Sequence, residues 1–352
     1  MSLQVVQNDT PNGQVISPTE KVSHLEVDES KIAWLTFDYP GEKVNKFSAH
    51  VMNELNTVLD EISANKSIRC LVVKSAKKGI FIAGADVKEI MDILQDAEAA
   101  EISSMIKKVI TNGVATFNKL EGLHCPSIAV IDGACMGGGL EMALACTYRV
   151  ATDDAKTSLA LPEVNLGIIP GWGGTQRLPR LVGLVQALPM ILAGKKMNGK
   201  KAFKMKLVDS LIPREFMDDR LNDFIQKILT REGEKKVKLA REPKGFAVKV
   251  QKALFENNPI GRNIVFNKAE SGVIKKTSGK YPAPLAAIDV LKSTYNGNLK
   301  AGLAKETETF VSLTTRHTDI CKNLVNLFFT MEGLKKDSQV VVDNEPKKVD
   351  VA

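Results

Sequence analysis

The alternation of apolar and polar residues predicts a β-hairpin near the start of the chain. Two alternating runs, 24–28 and 31–38, flank a short polar turn, which is the pattern of two antiparallel strands. Over 51–62 the apolar residues recur every three or four positions, which is typical of an amphipathic helix. Ser48 is the expected N-cap of that helix, and we predict that the helix ends at Ala64.

Short apolar runs then alternate with helical segments through the middle of the chain. The runs that we predict as buried strands are 70–74, 80–83, 128–131, 148–151 and 157–161. A strongly helical pattern covers 87–121, and a shorter helix is expected over 140–145. Strands that alternate with helices indicate an α/β fold built from repeated β–α units.

The chain becomes helical and increasingly charged after Leu181. The helices predicted there are 183–194, 198–206, 214–230, a broken stretch over 231–300, and a last long helix over 305–331. Breaks in the stretch 231–300 are expected at Pro243, Pro259, Gly272, Gly279 and Pro282. The tail 334–352 is rich in Lys and Asp but contains three consecutive β-favouring valines at 340–342.

Composition changes this picture mainly through charge. The 352 residues suffice for one large core with an appendage, or for two modest domains. Aromatic residues make up only 5%, so the core must be largely aliphatic, which suits a parallel sheet covered by helices.

The net charge of +7 favours anionic partners. The lysine pairs between 195 and 280 fit solvated helix faces and lack interleaved aromatics, so no nucleic-acid partner is expected.

Cysteine and histidine usage argues against disulfides and metal sites. The five cysteines are an odd number and no two have CxxC spacing, so we expect reduced thiols. The four histidines are scattered, so we expect no metal site. The apolar runs are too short for a transmembrane segment. Residues 1–21 lack arginine and resemble a flexible N-terminus rather than a transit peptide, so a cytoplasmic, bacterial-type location is expected.

Two glycine-containing segments carry candidate chemistry. FIAGAD (81–86) places small residues at a strand end, where a ligand can approach backbone N–H groups, although such turns are common. GGGLE (137–141) lies where a strand meets a helix start, which is an anion-attracting position. It matches neither a P-loop nor a dinucleotide-binding GxGxxG motif. A tightly packed strand-to-helix corner would have the same sequence features.

A third segment, LPE (161–163) followed by GIIPGWGGTQR (167–177), places an acid in apolar surroundings. Burial there would raise the pKa of Glu163, whereas the alternative is an exposed loop acid. Glu141 can likewise be a first-turn acid that complements the helix dipole. Taken together, two backbone N–H sites and two carboxyl groups suit water addition to an α,β-unsaturated thioester. That reaction needs donors at the developing enolate oxygen, a base for water and an acid for the α-carbon, and it needs no metal or redox cofactor.

These motifs, in this order, resemble the crotonase (enoyl-CoA hydratase/isomerase) superfamily over about 22–215. Within it, the chain is most similar to the N-terminal half of the α-subunits of fatty-acid oxidation complexes and of the mitochondrial trifunctional protein. The spacing from Glu141 to Glu163 and the segment KYPAPL (280–285) carry this narrower resemblance.

The resemblance implies roles for individual residues. The N–H groups of Ala85 and Gly138 would form an oxyanion hole, with Glu141 as the base and Glu163 as the acid. The residues that would line the path for coenzyme A are Ala83, Asp86, Val87 and Lys88. Lys88 is either a phosphate contact or a solvated lysine. In this superfamily the same pocket can also move a 3,4 double bond to the 2,3 position.

The resemblance also implies an architecture and partners. A ββα spiral core at 22–215 would be followed by a helical extension at 216–335, whose linker helix at 300–335 covers the pocket. Residues 336–352 would lead to a dehydrogenase domain that this chain lacks, so no NAD site is expected. The implied partners are an acyl-CoA substrate and a thiolase β-subunit.

Two other functions compete with hydration. Some crotonase-fold enzymes hydrolyse, decarboxylate or ring-open acyl-CoA, but they usually replace at least one of the two glutamates. A non-catalytic or weakly active assembly domain for a thiolase partner would keep the fold and lack the activity, so an assay of hydration separates it from the enzyme.

Overall fold

The computed structural model describes residues 21–242, 250 and 252–341. Nearly all of the predicted flexible N-terminus and the last part of the predicted linker lie outside these residues. The strands are β1 Ser23–Val27, β2 Ile32–Phe37, β3 Cys70–Ser75, β4 Ile80–Ile82, β5 Ser127–Ile131, β6 Ala134–Met136, β7 Tyr148–Thr152, β8 Ser158–Ala160, β9 Met197–Asn198 and β10 Ser210–Ile212.

The helices, in chain order, are α1 Ala49–Ala64, α2 Val87–Asp96, α3 Ala99–Glu121, α4 Gly138–Ala145, α5 Gly174–Val182, α6 Leu184–Ala193, α7 Gly199–Lys204, α8 Met217–Ile228, α9 Arg231–Ala240, α10 Pro259–Thr277, α11 Pro282–Thr294, α12 Leu299–Arg316 and α13 Thr318–Val341. Short 3₁₀ turns cover Glu163–Leu166 and Arg214–Phe216, and a π-helical turn covers Ala253–Asn257.

The strands form two sheets that the chain visits in alternation. The larger sheet has the order β1-β2-β3-β5-β7-β10, and the smaller has the order β4-β6-β8-β9. From β3 to β8, each successive strand joins the other sheet, and helices α2–α3 and then α4 separate the strand pairs. All pairings between β2 and β8 within these sheets are parallel. This arrangement is the predicted ββα spiral.

The N-terminal predictions are confirmed. Strands β1 and β2 pair antiparallel with Leu25 opposite Leu35, as the alternating pattern required. Ser48 caps α1 by accepting a hydrogen bond from the Val51 N–H, and α1 ends at Ala64. The helix buries its periodic apolar face because those side chains lie on one stripe.

The prediction of one last helix over 305–331 is wrong. Two helices, α12 and α13, meet at His317, which leaves the helical conformation. Near this junction the hydroxyls of Thr314, Thr315 and Thr318 donate to carbonyls four residues earlier. Such bonds compete with the helical ladder and bend helices.

Two other local predictions are wrong. Gly272 does not break α10, because one glycine costs a helix only about 1 kcal/mol. Helix α13 continues through Val341, beyond the predicted helix end at 331 and despite the β-favouring valines. The helical region predicted over 87–121 is confirmed as two helices, which are separated at Ala97 and Glu98, where the backbone is extended. The strands β6, β9 and β10 were not predicted, because runs of two or three residues are too short to show a period.

One hydrophobic core joins the spiral to the C-terminal helices. It contains spiral residues such as Leu71 and Phe117, and also Ile288, Phe310 and Val325 from α11, α12 and α13. A smaller cluster lies on the other face of the larger sheet, where Tyr148 packs edge-on against Phe224 of α8. Among the described helices, none combines the length and apolarity needed to cross a membrane.

Candidate active site

Three parallel strand ends bring the predicted motifs together. Strands β4, β6 and β8 are neighbours in the smaller sheet and run parallel. Their carboxyl ends therefore lie at the same edge, where ligands usually bind in α/β sheets. FIAGAD begins within β4 and continues past its end, while GGGLE and LPE follow β6 and β8, so the sheet itself places these three segments side by side.

Each glycine of the GGGLE segment has its own steric requirement. Gly137 has φ +52°, ψ −127°, a conformation that L side chains rarely adopt. A Cβ on Gly138 would lie 2.5 Å from the Trp172 ring, and one on Gly139 would lie 2.5 Å from the Ile82 carbonyl oxygen. The tight strand-to-helix corner is therefore real, and it also brings backbone close to neighbouring groups.

The N–H groups of Ala85 and Gly138 are neighbours at this corner. Phe47 donates to the Gly84 carbonyl and accepts from the Asp86 N–H, both at 2.8 Å, so the intervening Ala85 N–H points to the opposite side. A Cβ on Gly138 would lie 3.5 Å from the Ala85 nitrogen. Gly138 is the first residue of α4, where N–H groups have no intrahelical acceptor. The backbone nitrogens of Ala85 and Gly138 therefore lie close together at this corner.

An aromatic cluster holds both donors in place. Phe47, Phe117 and Trp172 meet edge-to-face, with centroid separations of 5.6–6.0 Å. Phe47 forms the bridge to Ala85, and the Trp172 ring lies against Gly138. Sequence analysis missed these positioning rings, because no spacing distinguishes them from ordinary core residues.

Glu141 is buried and held by two backbone donors. Glu141 is only 2% exposed, and its Oε1 accepts hydrogen bonds from the Trp172 and Gly174 N–H groups at 2.8 and 2.7 Å. Burial raises the pKa of Glu141 to about 7, and the two hydrogen bonds and nearby Arg177 oppose that rise.

Glu163 is buried without such support. It begins the 3₁₀ turn after β8 and is 8% exposed. Among the residues that the structure describes, none donates a hydrogen bond to either carboxyl oxygen. Burial, followed by the charge of Glu141, raises the pKa of Glu163 well above its usual value. A Cβ on Gly137 would lie 3.2 Å from Glu163 Oε1, so this carboxyl borders the same corner.

A third buried carboxyl, Glu306 of α12, was not predicted. It is 0% exposed and accepts from the N–H groups of Gly173 and Thr175 at 2.6 and 2.9 Å, and also from the Thr175 hydroxyl. Burial, followed by the charge of Glu141, raises the pKa of Glu306 to about 8.

The four residues predicted along the coenzyme A path lie at the end of β4 and the start of α2. Asp86 is engaged locally, since its carboxylate caps α2 at the Lys88 N–H and pairs with Lys46 at 3.0 Å. Ala83 and Lys88 are exposed, while Val87 is half-buried. Their contact with coenzyme A stays a prediction.

Helices α12 and α13 lie over the site. Phe310 of α12 packs against Gly171, and Cys321 of α13 lies against Gly167 and donates to its carbonyl oxygen at 3.4 Å. The predicted lid position at 300–335 is thus occupied by two helices in place of one.

The sequence matches a known family. The model of the enoyl-CoA hydratase/isomerase family matches residues 28–255, more than half of the chain. The chain belongs to the enoyl-CoA hydratase/isomerase family. A curated relative, the fatty acid oxidation complex subunit alpha of Shewanella amazonensis, is 40% identical over 330 residues. The match covers 94% of this chain and 44% of that protein, so the chain spans less than half of the relative's length.

Solved structures share the fold. The enoyl-CoA hydratase from Bacillus halodurans superposes with a TM-score of 0.60 at 20% identity, covering 87% of this chain and all (100%) of that one. Human mitochondrial delta3-delta2-enoyl-CoA isomerase gives a TM-score of 0.58 at 20% identity, covering 90% of this chain and 99% of that one. The crotonase fold predicted from the motifs is confirmed.

Proposed function

We propose that this chain is the enoyl-CoA hydratase part of a fatty-acid β-oxidation multienzyme. The observation that carries the proposal is the meeting of two unequal buried carboxyls with two backbone donors at one sheet edge. Family membership supports the reaction class, and the fatty acid oxidation complex relatives support the pathway.

The thioester carbonyl oxygen would accept from the Ala85 and Gly138 N–H groups. As water adds at C3, negative charge moves onto this oxygen, and fixed donors stabilise it more than the starting carbonyl. Loss of one such donor typically costs about 3–4 kcal/mol in the transition state. The start of α4 adds the positive end of a helix dipole.

Glu141 would act as the base and Glu163 as the acid. Two backbone N–H groups favour the ionised form of Glu141, whose pKa of about 7 suits a base at neutral pH. Burial, followed by the charge of Glu141, raises the pKa of Glu163 well above its usual value, and no described residue donates a hydrogen bond to it, so its protonated form is favoured. The two environments thus divide the roles.

The proton balance of this cycle closes. Water oxygen bonds to C3 while Glu141 takes one water proton, and Glu163 gives its proton to C2 as the enolate collapses. The product gains the elements of one water molecule, with the water oxygen and one water hydrogen at C3 and the former Glu163 proton at C2. Transfer of a proton from Glu141 to Glu163 restores the starting state.

The proposal extends to a second reaction, a partner subunit and a site of action. The acid Glu163 can also shuttle a proton between C4 and C2, which gives isomerisation of 3-enoyl to 2-enoyl thioesters. The relatives named as complex subunits support a partner subunit, which we propose to be a thiolase. Because those relatives are bacterial, we propose a cytoplasmic site of action. This sequence has no GxGxxG spacing, and we propose no NAD chemistry for it.

The test is the loss of enoyl-thioester absorbance with crotonyl-CoA and a longer 2-enoyl-CoA. We expect hydration by the wild type, and rates reduced by about 10²- to 10⁴-fold in Glu141→Gln and Glu163→Gln. Binding of the CoA ester should persist, because neither side chain supplies the oxyanion donors.

The control is Glu215→Gln, which changes an exposed carboxylate on the 3₁₀ turn before α8 and should leave the rate unchanged. A folded wild type that binds the CoA ester but does not hydrate it would contradict the proposal and favour the assembly-domain alternative.

A further inference from the structure

Four consecutive backbone N–H groups are shared between two buried carboxyls. In the loop 172–175, the first and third N–H groups donate to Glu141 at 2.8 and 2.7 Å. The second and fourth donate to Glu306 at 2.6 and 2.9 Å. The loop is thus clamped between the α4 glutamate and a residue from α12, more than a hundred positions further along the chain.

The clamp has a second fixed point. Arg177 is 5% exposed, donates to the Trp172 carbonyl oxygen at 2.9 Å and pairs with Glu121 of α3. This holds the carbonyl side of the loop while Glu141 and Glu306 hold its N–H side. A shift of Glu306 therefore moves the N–H groups that orient Glu141, since adjacent peptide planes share the same Cα atoms.

Glu306 also acts through charge. Burial, followed by the charge of Glu141, raises the pKa of Glu163, and ionised Glu306 raises it further. Burial, followed by the charge of Glu141, raises the pKa of Glu306 to about 8, so this charge is present chiefly above that pH. Of the cations on α5, Arg180 interacts electrostatically with Glu306, and Arg177 borders Gly173 at the same loop. Further ionisable residues on α12 and on the elements packed against it lie at the surface or are half-buried: Lys107, Lys108, Asp289, Lys292, Lys300, Lys305, Glu308, Arg316, Asp319 and Lys322.

We propose that Glu306 is a positioning residue of the hydratase site. It fixes the 172–175 loop so that the Glu141 carboxylate is held where it can take a proton from the attacking water. At alkaline pH, where Glu306 is ionised, its charge also opposes the ionisation of Glu163. The C-terminal extension is then part of the active-site machinery as well as a cover over it. The kinetic side of this inference rests on the proposed function, whereas the clamp itself does not.

The decisive substitution is Glu306→Gln. The amide can accept from Gly173, but its NH₂ group then faces the Thr175 N–H, so one donor loses its acceptor. We expect kcat for crotonyl-CoA to fall by about 10- to 100-fold with KM within about twofold, as for a lost hydrogen bond to a charged group. Removing the negative charge lowers the pKa of Glu163, so the alkaline limb of the rate profile moves to lower pH.

Two further variants separate charge from geometry. Glu306→Asp keeps the charge but is one methylene short, so kcat should fall while the alkaline limb stays near that of the wild type. Thr175→Val removes the hydroxyl that donates to Glu306 and accepts from Gln176 Nε2, which keeps Thr294 as a partner. Loss of the donor raises the pKa of Glu306 and should shift the limb in the same direction as Glu306→Gln, by less. Glu308→Gln, exposed on the same helix, is the matched control and should change neither quantity.

A readout that needs no activity completes the test. The chain has two tryptophans, so Trp34→Phe leaves Trp172, inside the clamped loop, as the only tryptophan, whose emission can be excited selectively over that of tyrosine. Glu306→Gln should increase acrylamide quenching of Trp172, and Glu308→Gln should not. An inactive wild type with this quenching change refutes the proposed function and keeps the clamp. The inference is overturned if the wild type hydrates crotonyl-CoA while Glu306→Gln and Thr175→Val both fold and change neither kcat, nor the alkaline limb, nor the quenching of Trp172. If Glu306→Gln does not fold, an unaltered Thr175→Val overturns it.

Discussion

At the residue scale, Glu141 and Glu163 could be predicted because each lies in a glycine-rich or apolar motif, where a carboxyl group is unusual. Glu306 lies between charged and polar residues, in the run Lys305-Glu306-Thr307-Glu308, and resembles any solvated helix face. One signal was available. Glu306 stands in register with the buried Leu303, Phe310 and Leu313, at the three- and four-residue spacing of an apolar helix stripe. An acid within such a stripe must find donors when the stripe is buried.

The raised pKa of Glu141 predicts a pH-dependent stability. Its folded pKa of about 7 exceeds the ordinary 4.5, so between these values the folded state binds more protons and stability falls as pH rises. Glu141→Gln keeps Oε1 as an acceptor for both N–H groups and removes the titration. When the pH is raised from 5 to 8, the unfolding free energy of the wild type should therefore fall by about 2–3 kcal/mol more than that of the variant.

Urea unfolding at the two pH values measures this difference. Glu215→Gln, which removes an exposed carboxylate, serves as the control and should follow the wild type. An identical pH dependence in Glu141→Gln and wild type would mean that Glu141 titrates normally in the folded state, contrary to its buried environment.

Gly138→Ala should damage the donor pair. The new methyl group would lie 2.5 Å from the Trp172 ring, so either the ring or the start of α4 must move. We expect about 1–3 kcal/mol of destabilisation from overpacking. Displacement of the Gly138 N–H should reduce kcat for crotonyl-CoA by roughly 10²-fold, as small misplacements of positioning groups do. A variant with wild-type kcat would remove Gly138 from the proposed oxyanion site.

At the element scale, period and capping predicted α1 and the hairpin well, because one face of each is buried and the other is not. The strand ends that build the site were predicted as separate motifs, but their adjacency depends on the order β4-β6-β8, which no local pattern encodes. The helix junction at His317 was missed for the same reason, since packing of α12 and α13 over the core decides where the chain bends.

Gly272→Ala tests the one helix that runs through a predicted break. Gly272 lies inside α10 without a positive φ, and a Cβ there would have no atom within 4 Å. Alanine should therefore raise the unfolding free energy by about 0.5–1 kcal/mol, because it restricts the unfolded chain without meeting a neighbour. Thermal unfolding measures the gain, and hydration should be unaffected. A destabilised variant would show that α10 packs more tightly than this geometry indicates.

At the scale of the whole molecule, the fold class followed from the motifs, whereas the coupling between spiral and extension did not. The proposed units, 22–215 and 216–335, remain useful as sequence regions, yet residues of both contribute to one continuous core. Phe310 makes this concrete. It is 2% exposed, and its ring and Ile110 of α3 both lie against Gly171, directly before the loop that holds Glu141. Periodicity predicts that such a residue is buried, but not against which partner.

A shared core predicts that the spiral and the extension unfold together. Far-UV circular dichroism follows all helices, and Trp172 fluorescence in a Trp34→Phe background follows the site beneath them, so the two urea transitions should coincide. Phe310→Ala should lower stability by about 3–5 kcal/mol in both signals, because it leaves a cavity in the common core. Phe216→Ala changes a ring that is 56% exposed and should shift both by less than about 0.5 kcal/mol. If Phe310→Ala shifted only part of the dichroism signal and left the Trp172 transition in place, the extension would be a separate cooperative unit. Its hold on the 172–175 loop would then be too weak to orient Glu141.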